Sequence, residues 1–445
     1  MRVIIVGAGE VGYQIAKFLS LEPLDVVVVD KDRDKLRRIA EEIDVAVIEG
    51  EGGNPSTLKE AEADKADILL AVTDRDETNM IACLLAKAMF GIPRKIARIR
   101  NPEYFRNEKL LGPENLDIDP AINPELEIAK AVVRLLEVPS ATDVEEFEGG
   151  LVKVVGYKIM EGSPLISKTL QRLGATLPKK LLIGIIVRDD ITVIPTGSDA
   201  LKAGDIIYMP IRREDIEDTL ALLGVPAKPV RKVMLLGGGR TGYYVASSIE
   251  HKSDVKIIEK DAERCKFLSK NLKKALVLHA DATEQKMLVE ENVGGMDAFV
   301  AVSNNDELNI MVSLLAKKSG ARKTIAVVNK TDYVTLAHSL GLQAVLSPRL
   351  ITASTILRYV RRGDIISLTA IAEANAEIIE GRISKTSPLA GKKLVQVQPK
   401  ASVIGAIIRG ENVIIPSGSD TLVEGDKLII FTLRESIKEV EKILL

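Results

Sequence analysis

The sequence predicts an α/β protein with two doubly wound parallel sheets, each followed by a small α+β domain. Two observations support this fold class. Short apolar runs alternate with amphipathic helical patterns, as they do where parallel strands are joined by crossover helices. A G-x-G-x-x-G turn that starts at Gly7, after the first apolar run, recurs 230 residues later at Gly237. The chain is therefore predicted to be a tandem duplication.

The overall composition argues against a nucleic-acid-binding or membrane-spanning protein. The chain has 445 residues, 46% hydrophobic and 28% charged, with a net charge of −2, so it has no global basic field for nucleic acid or anionic lipid. Its longest apolar runs fall short of the ~18–20 residues of a spanning helix. Cys83 and Cys265 lie far apart in helix-like segments, which is typical of buried thiols in a reducing compartment. We expect a soluble, cytoplasmic, multi-domain protein.

Residues 1–123 are expected to form the first nucleotide-binding domain, with a Rossmann-like fold. The expected strands are 2–6, 25–30, 45–49, 68–72, 95–100 and 116–118. The expected helices are 14–19, 32–42, 77–90 and 102–111. A connecting helix is expected in residues 124–140, because Pro124 opens a helical pattern that runs to Glu137.

After Pro139 the pattern changes to a small α+β domain, expected over residues 141–225. Short β-rich pieces are separated by turn signals. The expected strands are 151–160, 182–187, 192–194 and 205–209, and the expected helices are 168–173 and 214–223.

The second half of the chain repeats the first. Residues 71–79 align with 301–309, and the turn at 195–199 aligns with 416–420. Each half is long enough to hold its own core, unlike a solenoid repeat. The expected segments are a second nucleotide-binding domain at 230–347, a connecting helix at 348–363 and a second small domain at 364–445.

The first glycine turn has the features of a dinucleotide site. Gly7 permits the tight turn, Gly9 lets the backbone approach a pyrophosphate, and Gly12 lets the helix pack closely on the strand. The helix N-terminus would hold the phosphate charge. Asp30 ends the second strand, where a carboxylate accepts ribose hydroxyls, and this favours NAD or an adenine nucleotide over NADP.

Polar residues also follow the fourth strand of each predicted sheet, at the edge where open α/β folds bind ligands. They are Thr73 and Asp74 in the first half and Ser303 and Asn304 in the second. Small hydroxyl and amide side chains suit a ribose or phosphate contact, although such residues are equally common in plain loops. Arg98 and Arg100 alternate with apolar residues on the fifth strand and could share one face, where an arginine is costly unless it meets an anion.

The second site differs in charge from the first. Glu259 replaces Asp30 and can still accept two ribose contacts, whereas Arg240 replaces Glu10 after the glycine turn. An arginine there reaches a β- or γ-phosphate, and a glutamate repels it. We therefore expect the second site to tolerate a more highly charged nucleotide, unless Arg240 is only a solvated surface charge. Asp281 lies after the third strand, where an adenine contact and a plain turn are equally compatible with the sequence.

Catalytic residues are not apparent in the sequence. The three histidines, at 251, 279 and 338, are not placed with carboxylates in a recognisable proton relay, and there is no G-x-x-x-x-G-K-[ST], H-E-x-x-H or C-x-x-C motif. We therefore expect no enzyme, no metal site and a nucleotide that is sensed rather than consumed.

The domain order, the two glycine turns and the stretch Ala97-Arg98-Ile99-Arg100-Asn101-Pro102-Glu103-Tyr104 resemble a known family. It is the tandem RCK family, also called KTN, which includes the cytosolic regulatory subunits of Trk-type potassium uptake systems. The resemblance covers essentially the whole chain. It implies binding of NAD(H) or adenine nucleotides, and the charge of Arg240 favours ATP or ADP at the second site. It also implies self-association into a ring, as a homodimer or homotetramer, beneath a membrane-embedded potassium-translocating subunit that the ring gates.

The resemblance also implies which residues contact nucleotide. The first set is Gly7, Ala8, Gly9, Glu10, Val11, Gly12, Asp30, Thr73, Asp74 and Arg98. The second set is Gly237, Gly238, Gly239, Arg240, Thr241, Gly242, Glu259, Asp281, Ser303 and Asn304. Arg98 has no counterpart in the second half, which has Val327 at that position.

Two alternatives from other functional classes remain at this point. An NAD-dependent oxidoreductase would show hydride transfer to a substrate. A second-messenger binding protein that acts through its small domains would bind a small ligand in residues 144–223 or 366–445 alone.

The charge difference at the glycine turns leads to a first prediction. Arg240→Glu should weaken ATP binding at the second site, because a glutamate repels the phosphate tail. Calorimetric titration with ATP, ADP, NAD and NADH measures the effect. Unchanged ATP affinity would contradict the interpretation of Arg240.

Overall fold

The computed structural model describes residues 1–106, 108–176, 180–189, 191–224, 228–360, 365–370, 375–397 and 401–444. Within it the chain divides into two compact units. The first unit consists of Met1–Ile128 and Ser347–Val360. The second unit consists of Ala129–Leu346 and Arg361–Leu445.

The first 128 residues alternate between strands and helices. The strands are β1 (Arg2–Val6), β2 (Asp25–Asp30), β3 (Ala46–Glu49), β4 (Ile68–Ala71), β5 (Arg94–Arg98) and β6 (Ala121–Ile122). The helices are α1 (Glu10–Leu19), α2 (Arg33–Glu42), α3 (Pro55–Glu60), α4 (Asp76–Ala88), α5 (Pro102–Phe105) and α6 (Glu108–Leu111). Helix α7 (Pro124–Glu137) follows directly.

A small domain comes next. Its strands are β7 (Asp143–Phe147), β8 (Val152–Lys158), β9 (Ile185–Arg188), β10 (Ile191–Val193) and β11 (Ile206–Arg212). Its helices are α8 (Leu170–Thr176) and α9 (Ile216–Leu222).

The same succession then repeats. The next strands are β12 (Lys232–Leu236), β13 (Asp254–Glu259), β14 (Leu276–His279), β15 (Ala298–Ala301), β16 (Lys323–Val327) and β17 (Ala344–Leu346). The next helices are α10 (Arg240–Ile249), α11 (Ala262–Asn271), α12 (Gln285–Glu290), α13 (Asp306–Lys318), α14 (Thr331–Ser339) and α15 (Pro348–Val360). The last elements are β18 (Ile365–Ala370), β19 (Ala376–Arg382), β20 (Ser402–Arg409), β21 (Asn412–Ile414), β22 (Lys427–Leu433) and α16 (Ile437–Leu444).

The large sheets have the order of a Rossmann-like fold, which confirms the predicted fold class. The first runs β3-β2-β1-β4-β5-β6 and the second β14-β13-β12-β15-β16-β17, and all strand pairs in both are parallel. Along β1, Val3 and Ile5 join a core with α1 and α2, while Ile4 and Val6 join a core with α3 and α4. Successive side chains thus point to opposite faces, and both faces are covered by helices.

The expected sixth strand, 116–118, is wrong: the structure places β6 at Ala121–Ile122 instead. Asp117 has φ of 52°, in the left-handed region that strands do not use, and its carboxylate lies 2.7 Å from the Lys95 ammonium. Leu116 and Ile118 belong to this loop and are buried in the core beside the sheet, so their apolar spacing reflects burial and not a strand. The single helix expected over 102–111 is also wrong, since α5 and α6 are separate.

Helix α15 completes the core of the first unit although it is more than 200 residues away in sequence. Its buried residues Ala353, Ile356 and Val360 pack with β1, β2 and α1. The Arg94 guanidinium donates to the carbonyls of Tyr359 and Val360 at 2.9 and 3.2 Å, and so satisfies carbonyls that a helix end leaves free.

The two small sheets of the second unit are antiparallel and share one core. Their orders, β10-β9-β11-β8-β7 and β21-β20-β22-β19-β18, correspond strand for strand. Phe431 is fully buried where they meet. A Cβ on Gly184 or Gly405 would lie only 2.3–2.4 Å from its ring, so both positions need glycine. The first strand of each small sheet, β7 and β18, was not predicted.

In the second unit the C-terminal end of α7 is held by a buried lysine. The Lys323 Nζ donates to the carbonyls of Leu135 and Val138, at 2.9 Å for Val138. Lys323 corresponds to Arg94 of the first unit, because each basic residue begins the fifth strand of its sheet and donates to carbonyls at the end of a long helix.

No helix in the part of the chain described above is both long and apolar enough to cross a membrane.

Burial of Lys323 leads to a prediction about pH. Burial lowers its pKa from 10.5 to about 7, so between these values the unfolded chain binds the proton and the folded chain does not. The stability of the wild type relative to Lys323→Met should therefore rise by about 2 kcal/mol between pH 7 and pH 9. Urea unfolding of both proteins across that range measures it. A constant difference between the two proteins would contradict the prediction.

Candidate functional site

The first glycine turn joins β1 to α1 under a strict steric constraint. Gly7 has φ of +116°, and a Cβ there would lie 2.9 Å from the main-chain nitrogen of Thr73. A Cβ on Gly12 would lie 1.8 Å from the Gly7 carbonyl oxygen. Both glycines are therefore needed to bring α1 against the end of β4.

Gly9 has a different role, because the space in front of it is open. A Cβ on Gly9 would meet nothing within 4 Å, and as the N-cap of α1 it makes no side-chain cap. The first N–H groups of a helix point outward with a partial positive charge, so this end of α1 suits a phosphate. Glu10, Val11 and Gly12 form its first turn.

Asp30 lies at the end of β2 and is bound to the glycine turn. Its Oδ2 accepts the Ala8 N–H at 2.6 Å and its Oδ1 accepts the Asp32 N–H at 2.9 Å. A carboxylate has about four lone-pair positions, so it retains acceptor capacity for ribose hydroxyls. The structure thus brings Asp30 next to the turn, as a dinucleotide site requires.

A buried amide ties the ends of β4 and β5 together. Asn79, fully buried on α4, accepts the Thr73 N–H at 2.9 Å and its hydroxyl at 2.7 Å. It donates to the carbonyls of Thr73 and Arg98 at 3.2 and 2.8 Å. Thr73 is thereby fixed beside Gly7, while the next residue, Asp74, is exposed.

Arg98 is half-buried at this edge and has donor capacity to spare. Its Nη1 donates to the Thr73 carbonyl at 3.1 Å, while its Nε is buried with no hydrogen-bond partner. Burial is the largest cause that lowers the pKa of Arg98. Arg100 lies beyond β5 and donates through Nε to Glu125 at 2.7 Å, so it is already paired. A half-buried guanidinium at this edge of the sheet fits a ligand with anionic oxygens.

The second glycine turn has the same geometry. Gly237 has φ of +102°, a Cβ on Gly242 would lie 2.0 Å from the Gly237 carbonyl oxygen, and Gly239 faces open space. Glu259 accepts the Gly238 N–H at 2.7 Å and the Asp261 N–H at 2.9 Å.

The rest of the second site matches the first only in part. Arg240 and Thr241 begin α10, and Arg240 is exposed. Arg264 aligns with Lys35 of the first half but makes different contacts: its Nε donates to the Gly238 carbonyl at 2.5 Å and its guanidinium lies 4.3 Å above the Phe267 ring, whereas Lys35 pairs with Asp32. Asp281 is exposed and accepts the N–H and hydroxyl of Thr283, both at 2.9 Å, so its carboxylate caps its own turn.

Ser303 repeats the arrangement of Thr73. The buried Asn309 accepts the Ser303 N–H at 3.1 Å and its hydroxyl at 2.6 Å, and donates to the Val327 carbonyl at 2.8 Å. Asn304 is exposed, as Asp74 is.

Four residues that position the sites were not among the predicted site residues. Asn79 and Asn309 are two of them. The others, Asp76 and Asp306, accept main-chain N–H groups just after β5 and β16. The signal that identifies all four is their identity in both halves within the aligned stretches 71–79 and 301–309.

Comparisons with known proteins agree with the duplicated fold. A family model described as the TrkA-N domain matches residues 3–124 and 233–348, and one described as the TrkA-C domain matches 154–224 and 378–445.

Relatives match over the whole chain. The Trk system potassium uptake protein TrkA of Halomonas elongata is 36% identical over 449 residues, which cover 100% of this chain and 98% of that protein. The Trk system potassium uptake protein TrkA homolog 1 of Methanosarcina mazei is 38% identical over 451 residues, and 99% of each chain is covered.

Solved structures share the fold at low identity. A crystal structure of the GsuK RCK domain has a TM-score of 0.61 at 17% identity and covers 100% of this chain and 94% of its own. A structure of the GsuK channel bound to NAD has a TM-score of 0.60 at 17% identity, with coverage of 100% and 78%.

The buried amide leads to a prediction about stability. Asn79→Ala removes the partner of the Thr73 N–H and of the Arg98 carbonyl, and should cost about 1–3 kcal/mol in the first unit. Asn309→Ala should cost a similar amount in the second unit, because its bonds are the same. Chemical unfolding measures both. The replacement of exposed Asn304 by Ala is the matched control, and a loss no larger than that of the control would contradict a structural role for the amide.

Proposed function

The chain belongs to the TrkA family, and we propose that it is the nucleotide-sensing regulatory subunit that gates a membrane potassium uptake transporter. One observation carries the proposal: a single chain holds two uncapped, open helix N-termini, each beside an acidic residue bound to its glycine turn. The relatives are named as potassium uptake proteins, which supports the transporter side of the proposal.

The proposed ligand of the first site is NAD(H). Main-chain N–H groups at Gly9 and Glu10 would hold the pyrophosphate, Asp30 the ribose, and the guanidinium of Arg98 an anionic or carbonyl oxygen. Thr73 and Asp74 would line the same edge. That the fold can hold NAD is supported by the GsuK channel bound to NAD.

The proposed ligands of the second site include ATP or ADP. Glu259 would bind the ribose, and the exposed Arg240 would meet a phosphate tail that Glu10 repels in the first site. Ser303 and Asn304 correspond to Thr73 and Asp74. Asp281 remains in the proposed site through its place after β14, although its carboxylate caps a turn in the structure.

Gating requires that nucleotide binds one arrangement of the protein better than another. A full switch between two states needs about 10⁴-fold difference in affinity between them. We propose that the chain self-associates into a ring, as a homodimer or homotetramer, on the cytoplasmic side of a membrane-embedded potassium-translocating subunit. The proposed domains and connecting helices are the six segments 1–123, 124–140, 141–225, 230–347, 348–363 and 364–445.

We propose no catalytic step, so nucleotide is bound and released unchanged. An NAD-dependent oxidoreductase is not favoured, because relatives across the whole length of the chain are named as potassium uptake proteins.

Calorimetric titration of the full chain with NADH, NAD, ATP and ADP tests the proposed sites. Asp30→Ala should weaken NAD binding, and Glu259→Ala should weaken ATP or ADP binding, each by about 10- to 100-fold, because each removes a charged hydrogen-bond acceptor. Asp34→Ala is the control, since Asp34 is exposed on α2 and pairs with Arg37. If neither substitution weakens any ligand, the site assignment is wrong.

A further inference from the structure

Glu10, at the start of α1, lies between two arginines of the first unit. One carboxylate oxygen is 3.2 Å from Nη1 of Arg38 on α2, and the other is 3.0 Å from Nη1 of Arg349 on α15. Both oxygens are thus occupied, at the same helix end where the nucleotide phosphates are proposed to bind.

Arg38 is held independently of Glu10. Its guanidinium lies 4.5 Å above the Tyr13 ring, and its Nε is 3.4 Å from Glu42. The backbone of Arg349 is fixed by the first turn of α15, whose buried face packs on α1. Without Glu10, Arg38 would therefore keep its place beside Glu42, and Arg349 would remain within reach of the same helix N-terminus.

Two guanidiniums at a helix N-terminus form a strong receptor for a phosphate dianion, because each presents several N–H donors and the helix adds its own field. Glu10 occupies both. In the second half Arg240 stands for Glu10. The residue of α7 that corresponds to Arg349 of α15 is Glu125, which pairs with Arg100 in the first unit.

We propose that Glu10 is the specificity-determining residue of the first site. It neutralises a latent phosphate clamp formed by Arg38 and Arg349, and so disfavours nucleotides that end in a phosphate, such as ADP and ATP, relative to NAD. This inference rests on the proposed nucleotide-binding function. It adds that a residue of α15, far away in sequence, governs which nucleotide binds the N-terminal domain.

The discrimination follows from charge. The pyrophosphate of NAD is a diester with one negative charge on each phosphate, whereas ADP and ATP carry a terminal phosphate with a second ionisation. The fixed carboxylate of Glu10 repels that extra charge and at the same time withholds the two arginines that would compensate it. NAD meets less of this repulsion because its phosphates are both esterified.

Calorimetry of the full chain with ADP and NAD tests the inference, in a background of Glu259→Ala so that the first site is observed. Glu10→Gln keeps the shape of the side chain and should tighten ADP binding by about 10-fold and NAD binding by less than 3-fold. Adding Arg349→Gln to Glu10→Gln should remove most of the gain for ADP. Arg37→Gln is the control, since this exposed arginine of the same helix as Arg38 pairs with Asp34 and should change neither affinity.

Hydrogen exchange in α15 gives a second readout. In the Glu10→Gln variant, ADP should slow exchange in residues 348–360 more than NAD does, because ADP would bind Arg349. Thermal unfolding without ligand establishes that each variant is folded.

The outcomes separate the two proposals. If Asp30→Ala weakens NAD binding but Glu10→Gln leaves ADP affinity unchanged, or tightens ADP and NAD equally, the specificity role of Glu10 is wrong while the nucleotide site stands. If the wild type binds neither NAD nor ADP, both proposals are overturned.

Discussion

The contact between each glycine turn and the helix that follows it sets the geometry on which both candidate sites depend. The Gly12 Cα lies so close to the Gly7 carbonyl that no side chain fits there, and Gly242 repeats this against Gly237. Because of this close contact, the N-terminus of each helix, at Gly9 or Gly239, faces open space. It also places the turn beside the end of the fourth strand, where the buried asparagines hold Thr73 and Ser303.

Within each site the size of the acidic residue matches that of the turn residue it contacts, and the two sites differ from each other in both residues. Ala8 faces Asp30 in the first, whereas Gly238 faces the longer Glu259 in the second. A Cβ on Gly238 would lie 3.1–3.3 Å from Glu259 and 2.4 Å from Leu268, so the larger acid goes with the smaller turn residue. Arg264 donates to the carbonyl of the same turn residue, Gly238. Duplication has therefore preserved the backbone frame while the side chains around it have diverged together.

Local patterns predicted most of the fold, because strands β1 and β2, helix α7 and the glycine turns are encoded in short stretches. The sixth strand could not be placed, since Leu116 and Ile118 have the apolar spacing of a strand but pack from a loop. The position of Asp30 beside the glycine turn could be predicted, because the motif has a known spacing. The Glu10–Arg349 pair could not be predicted, because it joins residues 339 positions apart that only the packing of α15 on α1 brings together.

The place of α15 in the first unit also bears on how the protein is made. The strip formed by Ala353, Ile356, Leu357 and Val360 is part of the same core as β1 and α1. During synthesis, the N-terminal domain emerges from the ribosome with this part of its surface uncovered, and it stays so until two further domains have been translated. The first domain to appear is thus among the last to be completed, so the duplicated halves of this chain mature as one interdependent molecule and not in sequence.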